Sequence, residues 1–403
     1  MKPNTGKTSI RNFLTVRYDP LERITNTPIK WTNFRNNASD SNGYQTEKLL
    51  KNAFSKIPHV KRGSFVVSLS SGIDSTLCLA LLRNTFPQEK IVAVCGVFGK
   101  DHDESKRARE IASKFDADFK VIYMDSIFTN MPEIISISGK PRWNTYQHVI
   151  AREAKKHGDV LITGDGADEI FGGYTFRYNK FLNLLQPKDN WRIKTINYLE
   201  CHNRDWVPDQ EHLFGSAIKF NWNEMYDYFR PYFSNRLHPL EQVMLADYNG
   251  KLLYDFLPTS FSIFKHYGIN GFQPFRDKEV IDFALRIPVR QKYDPVNQKG
   301  KIVLRNIAKR LGVEHIDEKK GFSPSLWFDW EDHGKKICQT YLMKKDSQIF
   351  KKKLINHNWI LRSFERVEND GDVRYLNRLI SIFALEIWYR IFVTNEMKKT
   401  TQL

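Results

Sequence analysis

Cysteine is scarce in this chain: four in 403 residues (Cys78, Cys95, Cys201 and Cys338), with no CxxC pair among them. That spacing argues against a zinc cluster and against a disulfide framework, and it points to a reducing, cytoplasmic setting. Cys78 and Cys95 fall inside apolar runs and read as small core residues. Long apolar runs are also missing. None reaches the roughly 18 residues of a membrane-spanning candidate, and the opening MKPNTGKTSIRNF lacks the apolar core of a signal peptide, so no membrane partner is expected. Acidic residues are in deficit, 46 against 62 Lys and Arg, for a formal charge of +16. Such an excess suits nucleic acid, an acidic membrane, a polyanionic small molecule such as ATP, or a generally solvated surface. The basic residues are dispersed (Lys106, Arg107 and Arg109; Lys319 and Lys320; Lys351 to Lys353), with no dense basic tail or RNA-type aromatic motif. Nucleic acid stays open as a partner but is not favoured.

What is present reads as a globular chain, 41% hydrophobic and 13% aromatic, and too long for one typical core. Residues 1–45 form a polar, turn-rich N-terminal extension in which 13–18 and 29–34 are either strands or docked segments. From Tyr44 a helix is expected, ended by Pro58. Strands at 64–69, 90–98, 118–124 and 159–163 then alternate with helices near 74–86, 103–115 and 145–157, and a long loop follows the third strand. This alternation predicts a parallel sheet with helices on both faces, spanning 46–180. Residues 181–403 read as mainly helical, with patterns over 240–256, 278–286 and 301–311. The apolar helix at 374–393 holds Glu386 and Arg390, charges that argue for burial in the protein and against a membrane anchor.

Two loops at strand ends carry the chemistry. In SLSSGIDS, Leu69 closes a strand, Ser70, Ser71 and Gly72 make a turn, and Asp74 and Ser75 open a helix. Backbone N–H groups and the helix dipole make this an anion site, though an ordinary strand–turn–helix corner has the same pattern. No Gly-Lys-Ser/Thr follows, so it is not the Walker A loop. It resembles the Ser-Gly-Gly-x-Asp-Ser loop of the ATP pyrophosphatases, with Ser71 at the first Gly. The second loop, TGDGADEIFGGY from Thr163 to Tyr174, sets Asp165, Asp168 and Glu169 among four glycines. Glycines admit close backbone approach, while carboxylates hold Mg²⁺ or orient a base.

GDGADEIFGGY, together with DESKRAREIASKF and the C-terminal ALEIWYRIF, resembles the synthetase domain of the asparagine synthetase family over roughly 45–395. The resemblance implies an ATP-pyrophosphatase fold of the adenine nucleotide α-hydrolase type and an AMP-forming ligase that uses ATP and Mg²⁺. It implies that Leu69, Val97, Thr163 and Gly164 receive adenosine, and that Ser70, Ser71, Gly72, Asp74 and Ser75 cradle pyrophosphate. Asp74 and Asp168 match the magnesium carboxylates. Lys301 matches a lysine facing the phosphates, Lys319 one that stabilises the adenylate, and Asp165 a proton acceptor. Aspartate is the acceptor by family default. The family's glutaminase begins with a cysteine directly after Met, whereas this chain begins Met1-Lys2-Pro3. The nitrogen is therefore expected from free ammonia, a separate amidase, or an amine.

The acceptor half departs from the family pattern. Where Gly-Leu-Glu-x-Arg-x-Pro-Phe-Leu-Asp is usual, this chain has GINGFQPFRD, with Asn270 for Glu and Phe272 for Arg; the upstream Asp-Arg is Phe261-Ser262. An arginine that pairs a carboxylate is not replaced by phenylalanine without loss. Lys265, His266 and Arg276 are candidates to compensate. Three readings follow: an aspartate amide ligase, the same chemistry on a peptide, sugar or secondary-metabolite carboxylate, and a tRNA-modifying ATP pyrophosphatase.

Overall fold

The computed structural model describes residues 6–57, 64–98, 104–202, 206–313 and 326–403. Its centre is a five-stranded parallel sheet of β1 (Phe65–Ser68), β2 (Ile91–Val97), β3 (Asp118–Tyr123), β4 (Val160–Ile162) and β5 (Asn270–Phe272), in the order β3-β2-β1-β4-β5. Chain direction along the sheet reverses at β1. The chain steps outward through β2 and β3, then returns to place β4 on the other side of β1. A crevice at the carboxyl ends of β1 and β4 follows from that reversal, and this is where parallel sheets bind ligands.

Alternation along each strand divides the apolar side chains between two cores. Phe65, Val67, Ile91, Ala93, Cys95, Val160 and Ile162 face the main core, with Leu50 and Phe54 of helix α2 (Tyr44–Ser55) and Leu77 to Leu82 of α3 (Ile73–Thr85). Val66, Val92, Val94 and Leu161 face the other way, against Ile150, Ala151 and Ala154 of α6 (His148–His157). β1, β2 and β4 are buried on both faces, which is why they read as continuous apolar runs, whereas β3 at the sheet edge is half exposed. Helix α4 (Ser105–Lys114) covers β2 and β3.

Three elements depart from expectation. Residues 13–18 are not a strand: α1 (Lys7–Val16) is a helix whose Ile10 and Leu14 pack into the C-terminal core. Inside the long loop after β3 lies α5 (Met131–Ser138), which starts with Pro132 in its first turn and stops at Gly139 in the left-handed conformation. The third is β5, formed by the GINGFQ stretch that reads as an acceptor loop. Asn270 and Gly271 have little strand propensity, and the pairing of 270–272 with Val160, Leu161 and Ile162 makes the stretch a strand.

The apolar helix Val373–Phe392 is buried, and Glu386 within it has no exposure. Its carboxylate accepts the Gln348 and Ile349 N–H groups at 3.1 and 3.0 Å and Arg390 Nε at 2.6 Å, so the buried charge is fully answered. Among the described residues no helix is long and apolar enough to cross a membrane.

Candidate active site

Both signature loops leave the sheet at the switch point. After β1 the turn closes on itself: Ser70 N–H donates to Ser75 Oγ at 3.0 Å, and Gly72 N–H to Ser70 Oγ at 3.2 Å. Gly72 is extended (φ −74°), and Ser71 is not among the residues with positive φ, so a serine at that position costs no backbone strain. Its N–H and Oγ both donate to Glu104 Oε2, at 3.0 and 2.9 Å. Glu104 thus supplies the negative charge at a turn built for anions, and a polyphosphate seated there would take its place. Nothing local in the sequence marks Glu104, which reaches the turn from the start of α4.

Asp74, in the first turn of α3, is 6% exposed. Asp168 sits in α7 (Ala167–Phe171), the short helix after β4. Lys301 joins them. Its Nζ lies 2.5 Å from Asp74 Oδ2 and 2.6 Å from Asp168 Oδ1. Burial alone would depress this lysine, but the two carboxylates outweigh it and hold its pKa above the ordinary value. Lys301 caps the helix Ile302–Arg310 from the left-handed region (φ 55°), an uncommon conformation for a long side chain. The hairpin of β6 (Tyr293–Asp294) and β7 (Lys299–Gly300) delivers it there.

Glycines make the approach possible. A Cβ on Gly164 would lie 2.7 Å from Asp74 Cβ and 3.3 Å from Ser75 N; one on Gly173 would collide with the Asp168 carboxylate and with Lys301 Cε. Gly164→Ala is therefore expected to cost about 1–3 kcal/mol and to raise the KM for ATP by displacing Asp74. Urea unfolding and ATP titration of the variant check both effects.

Asp165 lies at the other side of the loop. Its Oδ2 accepts Thr163 Oγ1 at 2.8 Å and Gln273 Nε2 at 2.7 Å. Desolvation nonetheless raises its carboxyl above the ordinary aspartate value, exceeding the help of those bonds and of Arg276. Behind the loop, Glu169 accepts the Tyr174 hydroxyl at 2.6 Å, and burial, then the Asp168 charge, raises its pKa. Arg177 stacks on the Tyr174 ring and binds Asp247 through both terminal nitrogens, at 2.8 and 3.0 Å. This buried pair anchors the loop to the helix Pro239–Asp247.

The expected adenosine positions lie at the sheet's carboxyl edge, where much of the backbone is engaged. Leu69 N–H bonds Val94 O, Thr163 N–H bonds Phe272 O, and Val97 O accepts the Met124 N–H. Lys319 and Phe322 lie outside the described residues. On the acceptor side Phe272 turns into the main core against Phe54, ring centroids 5.4 Å apart, and Phe261 is exposed on the surface. The aromatics gained there do not join in one pocket wall. Lys265 and His266 are exposed, whereas Arg276 reaches the site through Gln273.

Lys292, beside Gly172, is a further buried group that sequence alone does not mark. Burial pulls its pKa down to about 7, Glu241 opposing only in part. The folded value lies below the unfolded one, so between them the unfolded chain binds more protons and stability rises with pH. Lys292→Met, which removes this titration, is expected to be more stable than wild type at pH 7 and below, on the order of 4 kcal/mol. The gain shrinks towards about pH 10, near the unfolded lysine value. Paired denaturation curves across that range provide the check.

A parallel sheet whose switch point brings together a strand–turn–helix corner and a carboxylate loop defines an α/β fold with its candidate site at the carboxyl ends of the strands. The family model described as asparagine synthase matches residues 45–390, and the chain belongs to that family. It is 27% identical over 294 residues to asparagine synthetase [glutamine-hydrolyzing] 1 of Bacillus subtilis, covering 64% of this chain and 45% of that protein. The chain spans about half the length of the curated relatives it matches. Among solved structures, an NH3-dependent NAD synthetase from Campylobacter jejuni is similar at TM-score 0.26 and 20% identity, covering 34% of this chain and 62% of that one. An NMN synthetase from Francisella tularensis is similar at TM-score 0.27 and 15% identity, covering 52% and 92%.

Proposed function

We propose that this protein activates a carboxylate with ATP, releasing pyrophosphate, and passes the acyl group to ammonia or an amine, releasing AMP. The observation that carries this reading is the Asp74–Lys301–Asp168 cluster beside the Ser70–Ser75 turn. The turn and the N-terminus of α3 suit the departing pyrophosphate. Lys301 offsets charge that builds on the phosphoryl oxygens as the acceptor carboxylate attacks the α-phosphorus and the bond to pyrophosphate breaks. The nitrogen then attacks the acyl-adenylate carbon, its proton passes to Asp165, and AMP leaves.

Asp74 and Asp168 are the residues that would hold Mg²⁺. Two hard carboxylates converging on one cation at a phosphate-type turn fit an ion that takes one or two protein carboxylates plus phosphate oxygens. When bound, the ion would supply charge neutralisation along the phosphates.

Family membership supports aspartate as the acceptor and ammonia as the nitrogen that takes the acyl group. A second reading, the same chemistry on another carboxylate, is supported by Phe272 turning into the core where the family pattern carries an arginine. Incubation with ATP, Mg²⁺, ammonium and aspartate, followed by AMP and pyrophosphate assays, tests the first reading. A pyrophosphate-release screen across carboxylic acids tests the second. Release of ADP, or full turnover in Asp168→Ala, overturns the mechanism.

A further inference from the structure

The N-terminal extension reaches the acceptor side of the site. Ile24 and Ile29 pack on the main core, and Asn249 clamps the Ile29 peptide from both sides, accepting its N–H at 2.9 Å and donating to its carbonyl at 2.7 Å. Between these anchors, Asn26 Oδ1 accepts a hydrogen bond from Arg276 Nη2 at 2.6 Å. Arg276 Nη1 donates to Gln273 Oε1 at 2.5 Å, and Gln273 Nε2 donates to Asp165 Oδ2 at 2.7 Å. The chain has a direction. A guanidinium can only donate, so it takes the Gln273 oxygen and turns the amide nitrogen towards Asp165. Without that donor the amide can flip and present an oxygen to the carboxylate. The arginine stem runs close over Gly166. Its Cγ lies 3.2 Å from where a Cβ on Gly166 would be, and Gly166 has φ 93°.

We propose that Asn26, Arg276 and Gln273 are positioning residues for Asp165, so that the N-terminal extension is a working part of the aminolysis site. Both bonds to Asp165 from Thr163 and Gln273 fall on Oδ2, which leaves Oδ1 outside this network and available to the attacking nitrogen. The inference rests on the reading of Asp165 as proton acceptor. It separates the two halves of the reaction: the three residues serve nitrogen attack, and adenylation depends on the other wall of the site.

The test compares Asn26→Leu, Asn26→Asp and Arg276→Leu with wild type, each first shown to melt as a folded protein. ATP–pyrophosphate exchange reads adenylation, and amide formation at varied ammonium reads the whole reaction. Asn26→Leu and Arg276→Leu are expected to hold exchange within about twofold while amide formation falls roughly tenfold to a hundredfold. Asn26→Asp keeps an acceptor for Arg276 and is expected to recover most of the rate. The Asn26→Leu/Arg276→Leu double variant is expected to be no slower than Arg276→Leu alone. Parallel loss in both half-reactions, or additive loss in the double variant, overturns the proposal. A readout independent of turnover is the Asp165 carboxyl carbon resonance in aspartate-labelled protein, assigned by its loss in Asp165→Asn. It is expected to move in Asn26→Leu and Arg276→Leu and to stay in Asn26→Asp. A resonance indifferent to Arg276→Leu overturns the proposal even if no acceptor supports exchange, a result that would by itself count only against the amide-ligase reading.

Discussion

Lys301→Met is expected to abolish amide formation, lowering the rate at least a thousandfold, and to weaken the fold at the same time. The buried Asp74 and the partly exposed Asp168 share this one buried ammonium at 2.5 and 2.6 Å. Removing the cation beside the buried Asp74 carboxylate leaves its charge less well compensated, at a cost of about 3 kcal/mol. The chemical cost is separate. A preorganised cation facing the phosphoryl oxygens in a site shielded from water contributes roughly 10²–10³ in rate, and displacement of Asp74 adds to that loss. Pyrophosphate exchange measures the rate, and a thermal melt in the presence of a chelator measures the fold. Mg²⁺ is expected to restore part of the melting temperature of the variant, because the same two carboxylates then share a different cation. A variant that melts early but keeps wild-type exchange would make Lys301 purely structural.

Asp165→Asn is expected to divide the reaction. The amide is nearly isosteric and keeps an oxygen to accept from Thr163 and Gln273, so exchange persists while amide formation falls by roughly 10²–10⁴. The pH dependence has a definite sign. Desolvation holds the Asp165 carboxyl above the ordinary aspartate value, and only the ionised form accepts a proton. Amide formation in wild type should therefore rise with pH through a limb lying above the usual aspartate range, and the limb should be missing from the variant. An unchanged profile in Asp165→Asn would assign the proton to another group.

The two loops were legible because each couples an apolar strand to residues that a bland turn does not need. Ser70-Ser71-Gly72 before Asp74, and the glycines around Asp165 and Asp168, show a backbone arranged for close approach, and Gly164 against Asp74 is that approach in the structure. β1, β2 and β4 were legible as continuous apolar runs because both of their faces are buried. What sequence alone did not show depends on partners far along the chain. Glu104 meets Ser71, Asn26 meets Arg276, and Lys292 sinks beside Gly172 through tertiary packing that no local pattern encodes. Helix α5 was hidden by a stretch, MPEIISIS, whose isoleucines favour strands. The fifth strand was hidden because Asn270-Gly271-Phe272 becomes a strand only by pairing with β4.

That fifth strand also bears on the birth of the protein. β4 precedes the 163–174 loop, yet the partner for its outer edge arrives about 110 residues later, on the order of ten seconds at ordinary rates of synthesis. Over that interval the outer edge formed by Val160, Leu161 and Ile162 lacks its partner, and only β1 is there to pair the inner edge. An open edge of this kind invites pairing with another chain. The emerging polypeptide therefore depends on protection at the very strand that launches Asp165 and Asp168, and slow translation through 163–270 should lower the yield of soluble protein more than slow translation after residue 272.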